Sequence, residues 1–469
     1  MKILQVLHGF PAELVGGTER AVDALARALA RSGHEVTIVA GSLDWQRGFV
    51  LREDRDAGPE GVREDGVRIY RLHRGDIYFE HWHQHRSVIA RKLFEEALEL
   101  VRPDVVHVHH WLRLSADLGQ AAVRCGIPTL VSLHDLWSTC LIGHRVRPGT
   151  DSLCEVPLAA DPCLGCAGEL PPFTHFVDAF AGAMRLEQRK QALRNELLSA
   201  HKVVVPSRSH GELARRFLEL PAGVEFAPVR PVGGAWVPRR PAAPDPSAAP
   251  LELALFGHLS PEKGSDLAID AIAALPDPSR VRLHLMGGAV REEFEAQLRE
   301  RAEGLDVLFH GAYEVGRLLE HPGAGAHALL SCSRAHESWG LVLDEALSLG
   351  MPALLPRSGA FLERATDQPW AALYEPGDRA ALTGLIQSLL DDPARMAALQ
   401  AGVPEPESLH WGPEDQAALL ENLYRDAIEA GAPELPPGDW WADRIAELER
   451  RDWQRAITDS TAEQLGLDG

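Results

Sequence analysis

The stretch ALLSCSRAHESWGLVLDEALSLGMP, residues 328–352, decides the fold of this chain. Ala328 to Leu330 is a short apolar run typical of a buried strand, and residues 341–349 carry apolar side chains at the spacing of a helix with one buried face. Gly350 and Pro352 then end that helix. A buried strand that leads through a loop into a helix is the repeating unit of parallel sheets, so the stretch predicts an α/β fold.

Two glutamates flank the predicted start of this helix. Glu337 lies on the loop, and Glu345 lies about one turn into the helix. The amides of the helix N-terminus belong to Ser338, Trp339, Gly340 and Leu341. Unpaired amides and the helix dipole favour an anion there, so we expect a sugar-nucleotide site with the diphosphate at the helix end. Two solvated glutamates on a helix surface are the alternative.

A second anion site is predicted earlier in the chain. Residues 251–256 form an apolar strand, Gly257 and His258 follow it, and Lys263 and Gly264 precede the next helix. A lysine at a glycine-lined helix entrance is a point cation that stabilises a departing phosphate.

The loop after the first strand contains Gly16, Gly17 and Glu19 and opens a helix. Open α/β sheets bind ligands at this position, and paired glycines let a ligand approach the backbone closely. A plain turn is the alternative reading of the glycines. The loop lacks the G-x-G-x-x-G pattern of dinucleotide enzymes, which argues against an oxidoreductase.

Histidines gather near the ends of two predicted strands. His134 follows the apolar run 129–133, where a crevice should form, and a structural histidine is its alternative role. His107 and His109 share one strand face while His110 faces the other way, so a metal site at these three is the less favoured interpretation.

From Met1 to about residue 428 the chain resembles the retaining glycosyltransferases of family four. The resemblance rests on the E-x7-E pair, the Lys263-Gly264 element, the glycine-pair loop and His134, which occur in the family's order. It implies the GT-B architecture, in which two Rossmann-like domains face each other across a cleft. It also implies transfer of a sugar from a nucleotide-diphosphate donor to a hydroxyl acceptor with retention at the anomeric carbon.

The resemblance also implies roles for individual residues. Glu337 and His134 are expected near the transferred sugar, Glu345 on the ribose and Lys263 on the diphosphate, with the glycine-pair loop on the acceptor side. Similar enzymes carry an arginine where this chain has His258. A second diphosphate cation is therefore missing, pH-dependent or supplied elsewhere.

Two rival functions stay open on the sequence alone. One is a GT-B nucleotide-sugar epimerase or phosphorylase, and the other is a catalytically silent sugar-nucleotide-binding protein. The presence of Glu337, Glu345 and Lys263 argues against a silent protein. The sequence leaves open the donor base and sugar, the acceptor (a glycan, a lipid-linked molecule or a small molecule), peripheral membrane contact and the oligomeric state.

The alternation of strands and helices predicts two sheets. We expect residues 1–235 to form the acceptor-side domain, residues 236–410 the donor domain, and residues 411–469 a helix that returns to the first domain plus an unassigned tail. Strands are expected at residues 3–7, 35–40, 105–109, 129–133 and 203–205, and then at 251–256, 281–286, 307–310, 328–331 and 353–355.

Composition limits the partners. The 469 residues carry a formal net charge of −21, which argues against nucleic acid because phosphate backbones need concentrated positive charge. No run is long and apolar enough for a membrane span or a secretory leader, so we expect a cytoplasmic protein. Asp54-Arg55-Asp56 is expected to be a solvated loop and not a metal-binding D-x-D site, so no catalytic metal is predicted.

Four of the six cysteines cluster in one insertion, residues 140–166. They are Cys140, Cys154, Cys163 and Cys166. Four thiols in a loop with little core of its own suit a structural zinc ion, with an iron–sulfur cluster or free thiols as alternatives.

Overall fold

The structure is a computed structural model of the chain. It describes residues 1–14, 16–54, 63–75, 85–147, 149–150, 153–159, 163, 165–166, 179–232, 239–240, 244–245, 247, 249–436, 444 and 451. Two sheets, the first mixed and the second parallel, dominate these residues, and each is covered by helices on both faces.

The first sheet has eight strands in the order β3-β4-β2-β1-β5-β6-β7-β8. They are β1 (Lys2–Leu7), β2 (Glu35–Gly41), β3 (Val50–Glu53), β4 (Arg68–His73), β5 (Val105–Val108), β6 (Thr129–Ser132), β7 (Lys202–Val205) and β8 (Phe226–Pro228). Only the edge pair β3 and β4 is antiparallel among the pairs in these described strands.

The second sheet has six parallel strands in the order β11-β10-β9-β12-β13-β14. They are β9 (Leu251–Phe256), β10 (Val281–Met286), β11 (Asp306–Gly311), β12 (Ala328–Leu330), β13 (Ala353–Pro356) and β14 (Ala371–Tyr374). Both sheets contain crossovers between non-neighbouring strands, as doubly wound folds do.

Helices follow the strands along the chain. In the first domain they are α1 (Gly17–Arg31), α2 (Val88–Val101), α3 (Leu118–Arg124), α4 (Ala179–Leu198) and α5 (Arg208–Phe217). In the second they are α6 (Ser265–Ala273), α7 (Glu292–Arg301), α8 (Leu341–Leu349), α9 (Gly359–Ala365), α10 (Arg379–Asp391), α11 (Pro393–Ala401) and α12 (Pro406–Leu409), after which comes α13 (Pro413–Ala430).

Each sheet buries both of its faces because its strands are apolar on both sides. Leu4 of β1 packs in a core with Phe94 of α2. The neighbouring Ile3 faces the opposite core, which contains Val22 of α1 and Tyr424 of α13. The C-terminal helix therefore covers the first sheet, as the resemblance implies. Continuous burial on both faces is the signature of a parallel sheet.

The expected strands are confirmed, with ends that shift by one or two residues. The expected domain boundary at residues 235/236 falls in 233–238, outside the described residues, and stays a prediction. Most of the tail after residue 436 also lies outside them. Within the described residues, no helix has both the length and the apolar character needed to cross a bilayer.

Candidate active site

The two domains meet where α5 of the first approaches α8 and α9 of the second. The Ser207 hydroxyl donates to the Ser338 carbonyl at 2.8 Å. The amides of Arg208 and Ser209 donate to the Glu363 carboxylate at 3.2 and 2.8 Å. The Glu363 carboxylate at the N-terminus of α5 complements the helix dipole. The Ser207 bond therefore holds the donor-side loop, and the Glu363 bonds hold α9, against the first domain.

The loop before α8 is fixed by its own glycine. Gly340 has φ +82°, and a Cβ at this position would lie 2.3 Å from Phe361, so only glycine fits. Arg364 donates to the Trp339 and Gly340 carbonyls at 2.9 and 3.2 Å. The amides at the start of α8 have no partner within the helix. The loop therefore offers a rigid N-terminus to an anion.

A half-buried cluster that the sequence did not indicate supports this loop. The Trp339 indole N–H donates to Asp344 at 2.6 Å, and Arg364 donates to the other oxygen of Asp344 at 2.5 Å. The Arg364 guanidinium also stacks on the Trp339 ring at 4.0 Å. Arg230 reaches Asp344 at 3.1 Å. The indole of Trp339, predicted as a donor-binding residue, is thus engaged by Asp344 and Arg364.

Glu337 and Lys263, separated by 74 positions, form an ion pair. Lys263 Nζ donates to Glu337 Oε1 at 2.6 Å. Gly264 makes this geometry possible, because its φ is +70° and a Cβ would lie 2.0 Å from the Cys332 carbonyl oxygen. The side chain of Glu337 is 13% exposed and that of Lys263 38%. The predicted acid and the predicted phosphate cation therefore lie side by side.

Glu345 is buried and hydrogen-bonded, not solvated. The Tyr313 hydroxyl donates to Glu345 Oε2 at 2.6 Å. Burial raises the pKa of Glu345 to about 7; the negative charge of Asp344 adds to the rise, while the Tyr313 hydrogen bond and the positive charge of Arg20 oppose it. Arg20 lies on α1, so the electrostatics of the donor side include a cation of the first domain.

The raised pKa of Glu345 predicts a pH dependence of donor affinity. If the carboxylate accepts ribose hydroxyls, only its ionised form binds fully. The folded-state pKa of about 7 then means that affinity for a nucleotide sugar is full above pH 7 and declines below it, by at most about tenfold per pH unit. Calorimetric titration with the nucleotide sugar between about pH 5.5 and 8.5 measures this donor affinity. Glu345→Gln should flatten the profile; an unchanged decline in this variant would contradict the assignment.

His258 itself is exposed on the loop that follows β9. Gly257, one residue earlier, has φ +104° and donates its amide to the Met286 carbonyl at 2.9 Å. The left-handed backbone of Gly257 turns the chain away from the strand toward Lys263.

His134 ends a hydrogen-bonded chain of buried polar groups. Its Nε2 lies 3.0 Å from His109 Nδ1, and His109 Nε2 lies 3.0 Å from Gln5 Oε1. Burial lowers the pKa of His134 to about 4 and that of His109 well below its usual range, so both rings are neutral near pH 7. Because Gln5 Oε1 only accepts, His109 Nε2 carries the hydrogen, His134 Nε2 donates, and His134 Nδ1 is left as an acceptor.

The neighbouring histidines have structural roles in this arrangement. His107 Nδ1 lies 2.7 Å from the Tyr424 hydroxyl and its Nε2 lies 2.8 Å from the Ser132 hydroxyl, so both ring nitrogens are engaged. His110 Nε2 lies 3.5 Å from Asp135. In the part of the chain that the structure describes, no three His, Cys, Asp or Glu side chains are placed to hold a metal ion.

The glycine-pair loop is closed by its own glutamate. The Gly16 amide donates to Glu19 Oε2 at 2.8 Å, and Glu19 Oε1 lies 3.0 Å from His8 Nε2. A Cβ on Gly17 would meet nothing within 4 Å, so Gly17 leaves open space at the first turn of α1. Glu19 thus orders the loop, and the open backbone lies at the glycines.

The expectation of a solvated loop at Asp54 is wrong. Arg71 Nε donates to Asp54 Oδ2 at 2.6 Å, and Arg71 also donates to the Phe10 carbonyl at 2.9 Å. Arg71 therefore joins strand β4 both to Asp54 and to the loop after β1. Arg55 and Asp56 lie outside the described residues.

The expected acid and cation form a pair before α8, and the second acid lies within that helix, which is the arrangement expected of a nucleotide-sugar enzyme of the GT-B class. Residues 16–230 match the family described as glycosyl transferase 4-like domain, and residues 246–402 match glycosyl transferases group 1. The chain therefore belongs to the group 1 glycosyltransferases and is an enzyme of this retaining type.

Individual relatives agree with this assignment. The D-inositol 3-phosphate glycosyltransferase of Acidothermus cellulolyticus is 26% identical over 446 residues, 90% of this chain and 89% of the relative. Glycogen synthase of Mycobacterium tuberculosis is 25% identical over 412 residues, 84% and 87% of the two chains.

Solved structures show the same architecture. Sucrose-phosphate synthase from Thermosynechococcus elongatus superposes with a TM-score of 0.61 at 18% identity and covers 92% of this chain and 100% of its own. HepE from Anabaena in complex with UDP-glucose gives a TM-score of 0.57 at 15% identity and covers 90% and 99%. The predicted GT-B fold is confirmed.

Proposed function

We propose that this glycosyltransferase transfers a hexose-type sugar from a nucleoside diphosphate donor to a hydroxyl of a glycan, a lipid-linked molecule or a small molecule, with retention. The observation that carries the proposal is the Lys263–Glu337 pair at the N-terminus of α8. The pair places a cation that can stabilise a leaving diphosphate beside an acid that can face the sugar.

The proposed chemistry follows from the charges around this pair. As the bond to the sugar breaks, negative charge grows on the diphosphate, and both Lys263 and the amides at the start of α8 stabilise it. Glu337 lies beside Lys263 and faces the positive charge that develops on the sugar. His134 is neutral and offers Nδ1 to a sugar hydroxyl, so it orients the sugar without adding a charge.

The names of similar proteins suggest which donors and acceptors should be tested. One relative is named for inositol 3-phosphate and another for glycogen, and HepE has been solved with UDP-glucose. The catalytic domain of starch synthase IV from Arabidopsis thaliana has been solved with ADP and acarbose. We therefore include UDP-, ADP- and GDP-sugars as donors, with inositol phosphates and glucans as acceptors.

A cytoplasmic location and a role in glycan or glycoconjugate synthesis are part of this proposal. All six cysteines are free thiols in the structure. Unpaired thiols are typical of reducing compartments, where nucleotide sugars are also used as donors.

The proposed function predicts a product whose anomeric configuration matches that of the donor. A thermal-shift panel first selects the donor, because a ligand that binds the native state raises the melting temperature by mass action. NMR of the product formed with each acceptor then reports the configuration. An inverted product would contradict the proposal. Donor conversion without acceptor would favour an epimerase, and a requirement for inorganic phosphate a phosphorylase.

The proposed function also predicts that sugar transfer continues in the presence of a chelator, since Lys263 and helix amides supply the positive charge for the diphosphate. The same assay measures this. The metal content of the protein is measured before and after treatment, so that loss of a structural metal is not mistaken for loss of a catalytic one. Strict dependence on added magnesium or manganese, with protein-bound metal unchanged, would overturn this part of the proposal.

A further inference from the structure

Four cysteines that are dispersed over 27 positions converge on one cavity after the His134 loop. The cavity is lined by Cys140, Cys154, Cys163, Cys166 and Arg145, among others. Their segment has little apolar core of its own: Cys163 packs against a cluster of only three buried residues, Leu141, Leu158 and Leu186. A loop of this kind needs a further source of stability.

Arg145 supplies an independent indication of what the cavity holds. Its side chain is among the largest that are fully buried, and it is 2% exposed. The guanidinium donates to the Thr139 and Cys154 carbonyls at 2.6 and 2.8 Å, stacks on the Phe217 ring at 3.3 Å and reaches Cys154 Sγ at 3.8 Å. Among the described residues it has no carboxylate at ion-pair distance. A buried cation without a counter-ion is costly, and the Cys154 thiol lies within its reach while the other three cysteines line the same cavity.

We propose that Cys140, Cys154, Cys163 and Cys166 bind one structural zinc ion. Zinc prefers four thiolates in tetrahedral geometry, and such a unit carries two negative charges, of which Arg145 balances one. In this structure the four sulfurs are not yet placed as a coordination sphere. Zinc draws thiolates to about 2.3 Å, so binding closes the segment around the ion, and its free energy contributes to folding.

The zinc site would act on the donor side through Glu155, the neighbour of Cys154. Glu155 Oε1 lies 3.6 Å from His336 Nε2, and its other oxygen accepts from Arg216 of α5. His336 directly precedes Glu337. A zinc-closed segment therefore holds a carboxylate of the first domain against the loop that carries the donor-site acid, and we expect metal loss to weaken activity indirectly.

Elemental analysis of protein purified without chelators tests the proposal. The expected result is about one zinc per chain, with the double variant Cys163→Ser, Cys166→Ser containing little zinc and melting at a lower temperature. Cys125→Ser is the matched control, because Cys125 is exposed and outside the cavity, and should keep its zinc. Zinc retained by the double variant would overturn the site.

A second measurement covers the case in which the double variant does not fold. Wild-type protein is titrated with an organomercurial while a zinc-sensitive dye reports release. We expect release of about one zinc as four thiols react, in agreement with a four-thiolate site. Metal-free protein whose four thiols react freely, iron with visible absorption, or two disulfides by mass would each contradict zinc. These readouts do not depend on transferase activity, so they stand apart from the proposed function.

Discussion

Replacement of Glu337 by glutamine is expected to lower kcat by about 100-fold or more, without weakening the binding of the donor. Glutamine keeps the volume and one hydrogen-bond acceptor for Lys263 but removes the negative charge that faces the sugar. The lysine, which is now paired with Glu337 at 2.6 Å, is then free to interact with the diphosphate alone. Ground-state affinity should therefore stay constant or increase while turnover falls.

The measurement separates the two quantities, with kcat from initial rates and the dissociation constant from calorimetry. Glu320→Gln is the matched control, since Glu320 is an exposed glutamate paired with Arg317 on a short helix. It should leave both quantities unchanged. A Glu337→Gln variant with nearly wild-type kcat would remove Glu337 from the proposed chemistry.

The sequence predicts the donor side well because its determinants are local. A short strand, a loop and a helix with an apolar face follow one another within residues 328–352, and α8 begins and ends where the pattern indicates. Gly340 and the Lys263-Gly264 element could be predicted for the same reason, because a backbone conformation that requires glycine depends on a single position.

The partners of these residues could not be predicted from spacing. Tyr313 meets Glu345 across 32 positions, Arg364 reaches Asp344 across 20, and Lys263 meets Glu337 across 74. Each contact exists because parallel strands bring their C-terminal ends to one edge of a sheet. The fold class implies that such residues meet at that edge, but only the structure tells which of the many charged residues they are.

The polar strand β4, next to the edge of the first sheet, was missed for a different reason. β4 has the sequence RIYRLH, in which charged residues interrupt the apolar pattern. In the structure Arg71 of this strand is buried by its bonds to Asp54 and to backbone carbonyls. A hydrophobic pattern does not reveal a strand whose polar side chains are satisfied by distant partners.

The Lys263→Ala variant is expected to lose both donor affinity and turnover. In the proposed function Lys263 is the charged partner of the diphosphate already in the ground state, and hydrogen bonds to charged groups contribute about 1.5–3 kcal/mol, or about 10- to 150-fold in affinity. The variant also leaves Glu337 without its counter-ion beside the phosphates, which adds repulsion. We therefore expect kcat to fall as well, because charge on the diphosphate grows in the transition state.

A double-mutant cycle with Glu337→Gln separates these contributions. If the two side chains act as one unit, the combined variant should lose less than the product of the single losses, since removing the carboxylate relieves the repulsion that Lys263→Ala creates. Lys2→Ala, which removes an exposed lysine paired with Glu35, is the control. Strict additivity of the two changes, or wild-type donor affinity in Lys263→Ala, would show that the pair at 2.6 Å does not hold the diphosphate.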